Sequence, residues 1–429
     1  MRGSADSRRS GLGAADQVRL TAATVAGRLV GTASRLARRG SGASIQGQVM
    51  LKLDPQALPK LLADRTIAMI TGTNGKTTTT HLLAAAVRAG LGQDRLVTNA
   101  DGANLHYGIA SALSTAPHAD LAVVETDERV VADMIRLGKP AVIALLNLSR
   151  DQMDRHHEIK SLGRTWREAL TAAGQDGPVV IANAEDPLVT WAAETAAHVT
   201  WVNPSGSWVQ DSTLCPNCGA ILVRATDPAD GTSRWSCSSC PLAQPAAAYK
   251  IIDDKIVKTD GPTWDPQLNV PGRFNIGNAA FALASALVLG VDPDDALRGM
   301  RTVTSPAGRF GTAHFGDTTA RLVLAKNPAG WAEALPLAST KTVVLAIDSA
   351  AADGRDVSWL WDVEYEQLVG RTVIATGPRA QDLAVRLAYA GVDHRTIPDL
   401  AAALAGHPEP VDVIATYTPF QRLRKLASS

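Results

Sequence analysis

The stretch Ile70-Thr71-Gly72-Thr73-Asn74-Gly75-Lys76-Thr77-Thr78-Thr79 constrains this chain more than any other. An apolar run, Thr66-Ile67-Ala68-Met69-Ile70, precedes it, and a helical pattern through His81-Leu82-Leu83 follows. A glycine-rich turn between strand and helix lets backbone N–H groups converge on an anion, and the helix N-terminus adds partial positive charge. Gly72, Thr73, Asn74, Gly75, Lys76, Thr77 and Thr78 are therefore candidate ATP-binding residues. Lys76 would reach the β- and γ-phosphates, and Thr77 would place a hydroxyl on Mg²⁺. The general pattern G-x-x-x-x-G-K-[ST] is not met, because Ile70 stands where its first glycine belongs.

Alternation of strands and helices begins at this loop. Leu121-Ala122-Val123-Val124-Glu125, Ala141 to Leu148 and Pro178 to Asn183 read as buried strands separated by helical patterns. Near-continuous apolar strands of this kind imply a parallel, doubly wound sheet, whose ligands bind at the C-terminal strand ends. The loop, Glu125, Asn147 and Asn183 all fall at such ends. A second alternating region starts near Ala313, with strands at Arg321–Ala325, Thr342–Ile347 and Thr372–Ala375. The expected class is α/β. A central doubly wound ATPase domain over 51–310 carries an inserted zinc ribbon at 205–248, and a C-terminal α/β Rossmann-like domain covers 311–429. Residues 1–50 read as a basic helical extension. Within it Val18, Ala22, Val25, Leu29, Ala33 and Leu36 recur at helical spacing among arginines. Packing of this helix on the first domain, with a solvated basic face, is preferred to contact with an anionic membrane.

With 429 residues the length suits about two to four domains. The 42 basic and 42 acidic residues balance, so bulk charge does not indicate a nucleic-acid partner. No apolar run reaches the roughly 20 residues of a membrane span. The Arg-rich N-terminus has no apolar signal core. The expected location is cytoplasmic, at most peripheral at the inner membrane face.

Cys215-Pro216-Asn217-Cys218 and Cys237-Ser238-Ser239-Cys240 hold all 4 cysteines of the chain. Their spacing is that of a zinc ribbon. Four thiolates close a tetrahedral site with no open position, which makes such a zinc structural. Glu125, with Asp127 and Glu128 as alternatives, supplies hard carboxylate oxygen suited to Mg²⁺. Asn147 to His157 gathers amides, carboxylates and imidazoles at the sheet's ligand edge. Asn275 and Asn278 share one helix face. Arg309, in Ser305-Pro306-Ala307-Gly308-Arg309-Phe310, stands where an arginine could reach phosphates when domains close.

With these motifs in their order, the chain resembles the Mur ligase superfamily, from about residue 45 to the C-terminus. The resemblance rests on GTNGKTT at 72–78, Glu125, Asn183-Ala184-Glu185-Asp186-Pro187, Gly272 to Asn278 and Gly308-Arg309. It implies ATP-dependent activation of a carboxylate as an acyl-phosphate that an amine then attacks. It also implies that Asn183, Asp186, Asn275 and Asn278 contact the adenosine side and that Arg309 contacts phosphate. Several departures point further. The N-terminal UDP-binding domain of the family is not among the 50 or so residues before the ATPase domain. Gln152 replaces the histidine of a DHxD motif. No lysine in Gly163 to Glu168 matches the one carbamylated elsewhere, and Leu324 to Gly330 replaces a third-domain Asp-Tyr-Ala-His motif.

These departures and the zinc ribbon resemble the MurT-type subunit of lipid II isoglutaminyl synthase. That resemblance implies amidation of the D-glutamate α-carboxyl of lipid II, with ammonia from a GatD-type glutaminase in a heterodimer. It further implies that Asp356, with Asp353 and Asp362 behind it, completes the partner's Cys-His pair. The alternatives are a stand-alone Mur- or folylpolyglutamate-like amino-acid ligase and a non-enzymatic nucleotide-binding module. The joint presence of Lys76, Thr77, Glu125 and Arg309 argues against the module.

Overall fold

A computed structural model of the chain describes residues 13–36, 42–99, 102–150, 159–206, 211–226, 233–304 and 310–427. The first sheet contains β1 (Thr66–Thr71), β2 (Leu96–Thr98), β3 (Leu121–Glu125), β4 (Val142–Leu145), β5 (Val179–Asn183) and β6 (His198–Asn203). Alternation along each strand feeds two separate cores. Ile67, Met69, Ala122, Val124, Ile143 and Leu145 face one side, against Ile109, Met134 and Trp166. Ala68, Ile70, Val123, Val142 and Ala144 face the other, against Leu82, Leu83 and Phe281. Both faces are covered, so polar alternation is absent from these strands, as a parallel sheet requires.

After a hairpin formed by β7 (Leu222–Thr226) and β8 (Ser233–Cys237), the chain returns to this sheet. It adds β9 (Tyr249–Ile252), β10 (Lys255–Lys258) and β11 (Thr263–Trp264), giving the order β11-β10-β9-β6-β5-β4-β1-β3-β2. β10 and β11 pair antiparallel at one edge, while the strands from β9 to β2 run parallel. Strand order reverses between β1 and β4. The crevice beyond their C-terminal ends is where a doubly wound sheet binds ligands.

The second sheet contains β12 (Phe310–Phe315), β13 (Thr318–Leu324), β14 (Thr342–Ala346), β15 (Thr372–Thr376), β16 (His394–Thr396) and β17 (Val411–Ala415). Its order is β12-β13-β17-β14-β15-β16, parallel except for the β12–β13 hairpin. No helix among the described residues is long and apolar enough to cross a membrane.

One local expectation is corrected. The strand expected over Ala141 to Leu148 ends at Leu145. Beyond it, Leu146 donates to the Thr71 carbonyl, and Asn147 turns over the glycine-rich loop. The N-terminal helix spans Ala14–Leu36 and packs on the first domain, though not through its larger apolar side chains. Ala23, Gly27 and Gly31 form the buried seam instead, against the helix Ala43–Leu53, and the stripe faces outward. A Cβ added at Gly27 would lie 2.6 Å from the Gln46 carbonyl oxygen, so the seam is too close for any larger side chain.

Candidate active site

The phosphate-type loop is built by two strand ends clasping each other. Gly75 adopts φ 85° and caps the helix Lys76–Leu91. A residue with a Cβ would be strained there, and its Cβ would stand 2.6 Å from Asn278 Oδ1. Asn74 N donates to Asn147 Oδ1 at 2.8 Å, and Asn147 Nδ2 returns to the Asn74 carbonyl at 3.1 Å. Thr73 N donates to the Asn147 carbonyl, and Ser149 N donates to Thr73 Oγ1. The chain after β4 therefore fixes the loop's shape. Asn147 was legible only as a polar group at the ligand edge. Its pairing with Asn74 spans 73 residues and leaves no local signal.

Lys76 Nζ lies 2.6 Å from Glu128 Oε1 and also donates to the carbonyls of Gly72 and Thr73. Thr77 and Thr78 are buried in the first turn of the same helix. Glu125 ends β3 and is buried. Its backbone exchanges two 2.8 Å hydrogen bonds with the Asn99 side chain, and Asn104 Nδ2 donates to its Oε1 at 3.0 Å. Of the alternatives, Glu128 is committed to Lys76, and Asp127 chelates Arg129.

Asn183 and Asp186 act first on the protein itself. Asn183 Nδ2 donates to the Leu146 carbonyl at 2.7 Å. Asp186 accepts from Leu148 N at 2.7 Å and from Leu188 N and Val189 N, capping the helix Pro187–Ala193. Burial pushes its carboxyl up to about 6, against those three donors. Burial likewise raises Glu185 and lowers Arg224. Asn278 Nδ2 donates to Asn275 Oδ1 at 2.8 Å, and Asn275 Nδ2 reaches the Pro271 carbonyl. Asn278, Asn183 and Asp186 line one cleft of about 640 Å³ with Asn74, Gly75 and Thr78, whereas Asn275 lies buried behind it.

The far wall of that cleft comes from the second sheet's domain through Phe310, Leu324, Gly330 and Glu333. Phe274 and Phe310 bring their rings to 6.4 Å across the junction. A nucleotide fits the chemistry of this cleft. It offers the loop residues Asn74, Gly75 and Thr78, polar groups from Asn183, Asp186 and Asn278, and aromatic surface from Phe274, Phe281 and Phe310 for a base, while Lys76 and Glu125 lie on the adjoining elements and do not line it. Arg309 lies outside the described residues, as do Gln152 and the rest of 151–158.

The cysteine-bearing insert also reaches the cleft. Sulfurs of Cys215 and Cys240 lie 3.6 Å apart, and those of Cys218 and Cys237 lie 3.4 Å apart. All four fall within 4.8 Å of one another. Thiolates around a tetrahedral zinc sit about 3.8 Å apart, so the donor set fits the ion. Asn217 Nδ2 and Ser239 N point at Cys240 and Cys237 sulfurs, as donors to thiolates would. Cys215, Leu222, Trp235, Leu242 and Trp191 form a small core joining insert and domain. Trp235 Nε1 donates to the Ala184 carbonyl, and Asp211, Ser212 and Arg224 line the cleft. Arg150, after β4, pairs with Asp211 of the insert and with Asp362 of the C-terminal domain at 3.1 Å.

The three candidate aspartates of the C-terminal domain occupy different environments. Asp353 is buried and accepts from Thr418 N at 2.8 Å. Asp362 is held by Arg150. Asp356 is exposed, and its carboxyl is held below the usual range by the backbone N–H of Ser358.

Fold and site together define a Mur-type ATP-dependent ligase. The Mur ligase middle domain family matches residues 70–210, and the MurT ligase C-terminal family matches residues 324–420. The MurT subunit of lipid II isoglutaminyl synthase (glutamine-hydrolyzing) from Staphylococcus aureus strain N315 is 30% identical over 388 residues, covering 84% of this chain and 87% of its own. That from Streptococcus pneumoniae strain R6 is 29% identical over 442 residues, covering 95% and 97%. This chain belongs to the MurT family. Among solved structures, a pseudomurein peptide ligase type C from Methanothermus fervidus shares the fold at TM-score 0.65, with 18% identity over 85% of this chain and 78% of that one.

Proposed function

We propose that this chain is the ATP-dependent synthetase subunit that amidates the D-glutamate α-carboxyl of lipid II in peptidoglycan synthesis. The observation that carries the reading is the cleft itself. A phosphate-type loop, fixed by Asn147, shares one cavity with a wall from the MurT-type C-terminal domain. One α-carboxylate oxygen attacks the γ-phosphorus of ATP and displaces ADP. Ammonia then attacks the acyl carbon, phosphate departs, and the nitrogen loses a proton. Loop N–H groups and Lys76 neutralise the transferred phosphoryl charge, and Thr77 and Glu125 would hold Mg²⁺, which would supply further charge neutralisation. Exchange of Glu128 for a phosphate oxygen keeps Lys76 charge-paired throughout. Asn183, Asp186, Asn275 and Asn278 shape the adenosine end, the first two by fixing the turn they occupy. Arg309 is assigned to phosphate by resemblance alone.

Ammonia comes from a GatD-type glutaminase bound to the C-terminal domain. Asp356 orients the catalytic histidine of that partner, as a third member of a triad does. Its exposure supports the role, because Asp353 is buried and Asp362 is paired with Arg150. The four cysteines hold a structural zinc that folds the insert.

The test is reconstitution. The chain purified with its glutaminase should amidate lipid II when given ATP and glutamine. Amino-acid-dependent ATP turnover by the chain alone, with no partner retained, would replace this reading with a stand-alone ligase.

A further inference from the structure

Among the described residues, nothing packs on the apolar line along the outward face of the helix Ala14–Leu36. Val18, Val25, Leu29 and Leu36 are 69%, 51%, 68% and 82% exposed. Steps of seven, four and seven residues, at about 100° each, keep them within about 40° of one line, roughly 27 Å long. The line lies directly opposite the buried Ala23, Gly27 and Gly31. Arg19 flanks it on one side and Arg28 and Arg35 on the other, a quarter turn or so away, with Arg19 donating to the Leu53 carbonyl, Arg28 to the Ser114 carbonyl and Arg35 to Thr32 Oγ1.

Charge supplies the second observation. The formal net charge is +0, yet the first 41 residues hold eight arginines against two aspartates. The remaining chain holds 34 basic and 40 acidic residues. Neutrality therefore conceals a basic N-terminal segment on an acidic body. Such a charge distribution orients a molecule toward an anionic surface with the N-terminal helix leading.

We infer that this helix lies in the interface of an anionic bilayer, with Val18, Val25, Leu29 and Leu36 inserted among the headgroups and the net positive charge of the N-terminal segment drawn to lipid phosphates. A narrow apolar line with basic flanks has the cross-section of an interfacial helix. A second copy of the chain is a poorer occupant, because pairing two such faces would bring their arginines together. Each arginine near the surface adds attraction that salt screens. Membrane docking goes beyond the proposed chemistry and does not require that lipid II be the acceptor. Vesicles without lipid II test the docking separately.

The experiment is flotation of the full chain with vesicles of phosphatidylcholine alone and of equal parts phosphatidylcholine and phosphatidylglycerol. Binding to the mixed vesicles, weak binding to phosphatidylcholine, and loss at high salt are expected. Val25→Ser with Leu29→Ser should weaken binding to mixed vesicles by about tenfold or more. Arg38→Glu with Arg39→Glu should do the same. The serine pair should keep the thermal unfolding profile of the parent, since Val25 and Leu29 are exposed. Failure of the parent chain to bind mixed vesicles would overturn the inference. So would equal binding by the serine pair. Self-association abolished by the serine pair would assign the stripe to a second copy of the chain instead.

Discussion

Lys76 Nζ stands 2.6 Å from Glu128 Oε1, and both side chains are largely shielded from solvent. The lysine of the phosphate-type loop thus has a carboxylate counter-ion in place before any phosphate arrives. Glu128 lies three residues beyond Glu125, so the end of β3 supplies the candidate Mg²⁺ ligand and the turn after it supplies the lysine's partner.

Lys76→Ala should lower ATP turnover by about 10²- to 10³-fold, the usual cost of removing one preorganised charge contact. Single-turnover kinetics on the complex checks this. Near-normal turnover would remove the loop from the chemistry.

Trp235→Phe should cost about 1–3 kcal/mol, because it removes the 3.0 Å indole donor from the buried Ala184 carbonyl. Ala184 sits between Asn183 and Asp186, so ATP affinity should fall with stability. Calorimetric ATP titration separates the two effects. Unchanged affinity would show that the insert does not support the cleft.

Cys218→Ser should release zinc and lower the melting temperature, because closed four-thiolate sites contribute folding energy directly. Elemental analysis of the purified variant gives the answer. Full zinc content would contradict the four-thiolate site.

Asp356→Asn should abolish glutamine hydrolysis in the complex while ammonia-supported amidation persists. Asp362→Asn should behave differently. It removes the partner of Arg150 across the domain junction, so it should weaken both nitrogen sources alike. Assays with glutamine and with ammonium salts distinguish them.

Asp412 makes stability depend on acid. Although burial opposes its charge, N–H donors from Thr340 and Ser339 and the Arg321 guanidinium hold its carboxyl below the usual value of 3.8. The folded form therefore binds the proton less readily than the unfolded chain. Its stabilising contribution is complete above the unfolded value and disappears as pH falls through the lower folded one. Asp412→Asn should cost about 2 kcal/mol at neutral pH and flatten the acid limb. Urea unfolding at neutral pH and near pH 3 measures both.

Much of this was visible in the chain itself. Apolar runs such as Leu121 to Glu125 can be buried on both faces only in a covered parallel sheet, and the loop at 72–78 needs the strand before it and helix after it. Cysteine spacing placed the insert, because two tight pairs leave little freedom in how four sulfurs converge. The N-terminal helix packs on the first domain as expected, but its packing face was not legible: small residues make the seam, because Gly27 and Gly31 allow a closer approach than Val or Leu.

The sequence by itself determined the local chemistry, namely a phosphate-type loop, a strand-end carboxylate and a set of four cysteines. These are short-range patterns whose backbone requirements lie within a few residues. Only the tertiary structure decided which distant groups meet them. Asn147 reaches Asn74 across 73 residues, Trp235 reaches Ala184 across 51, and Arg150 joins the insert to the C-terminal domain. Such contacts form when packed elements bring strand ends together, and no single stretch of chain encodes them.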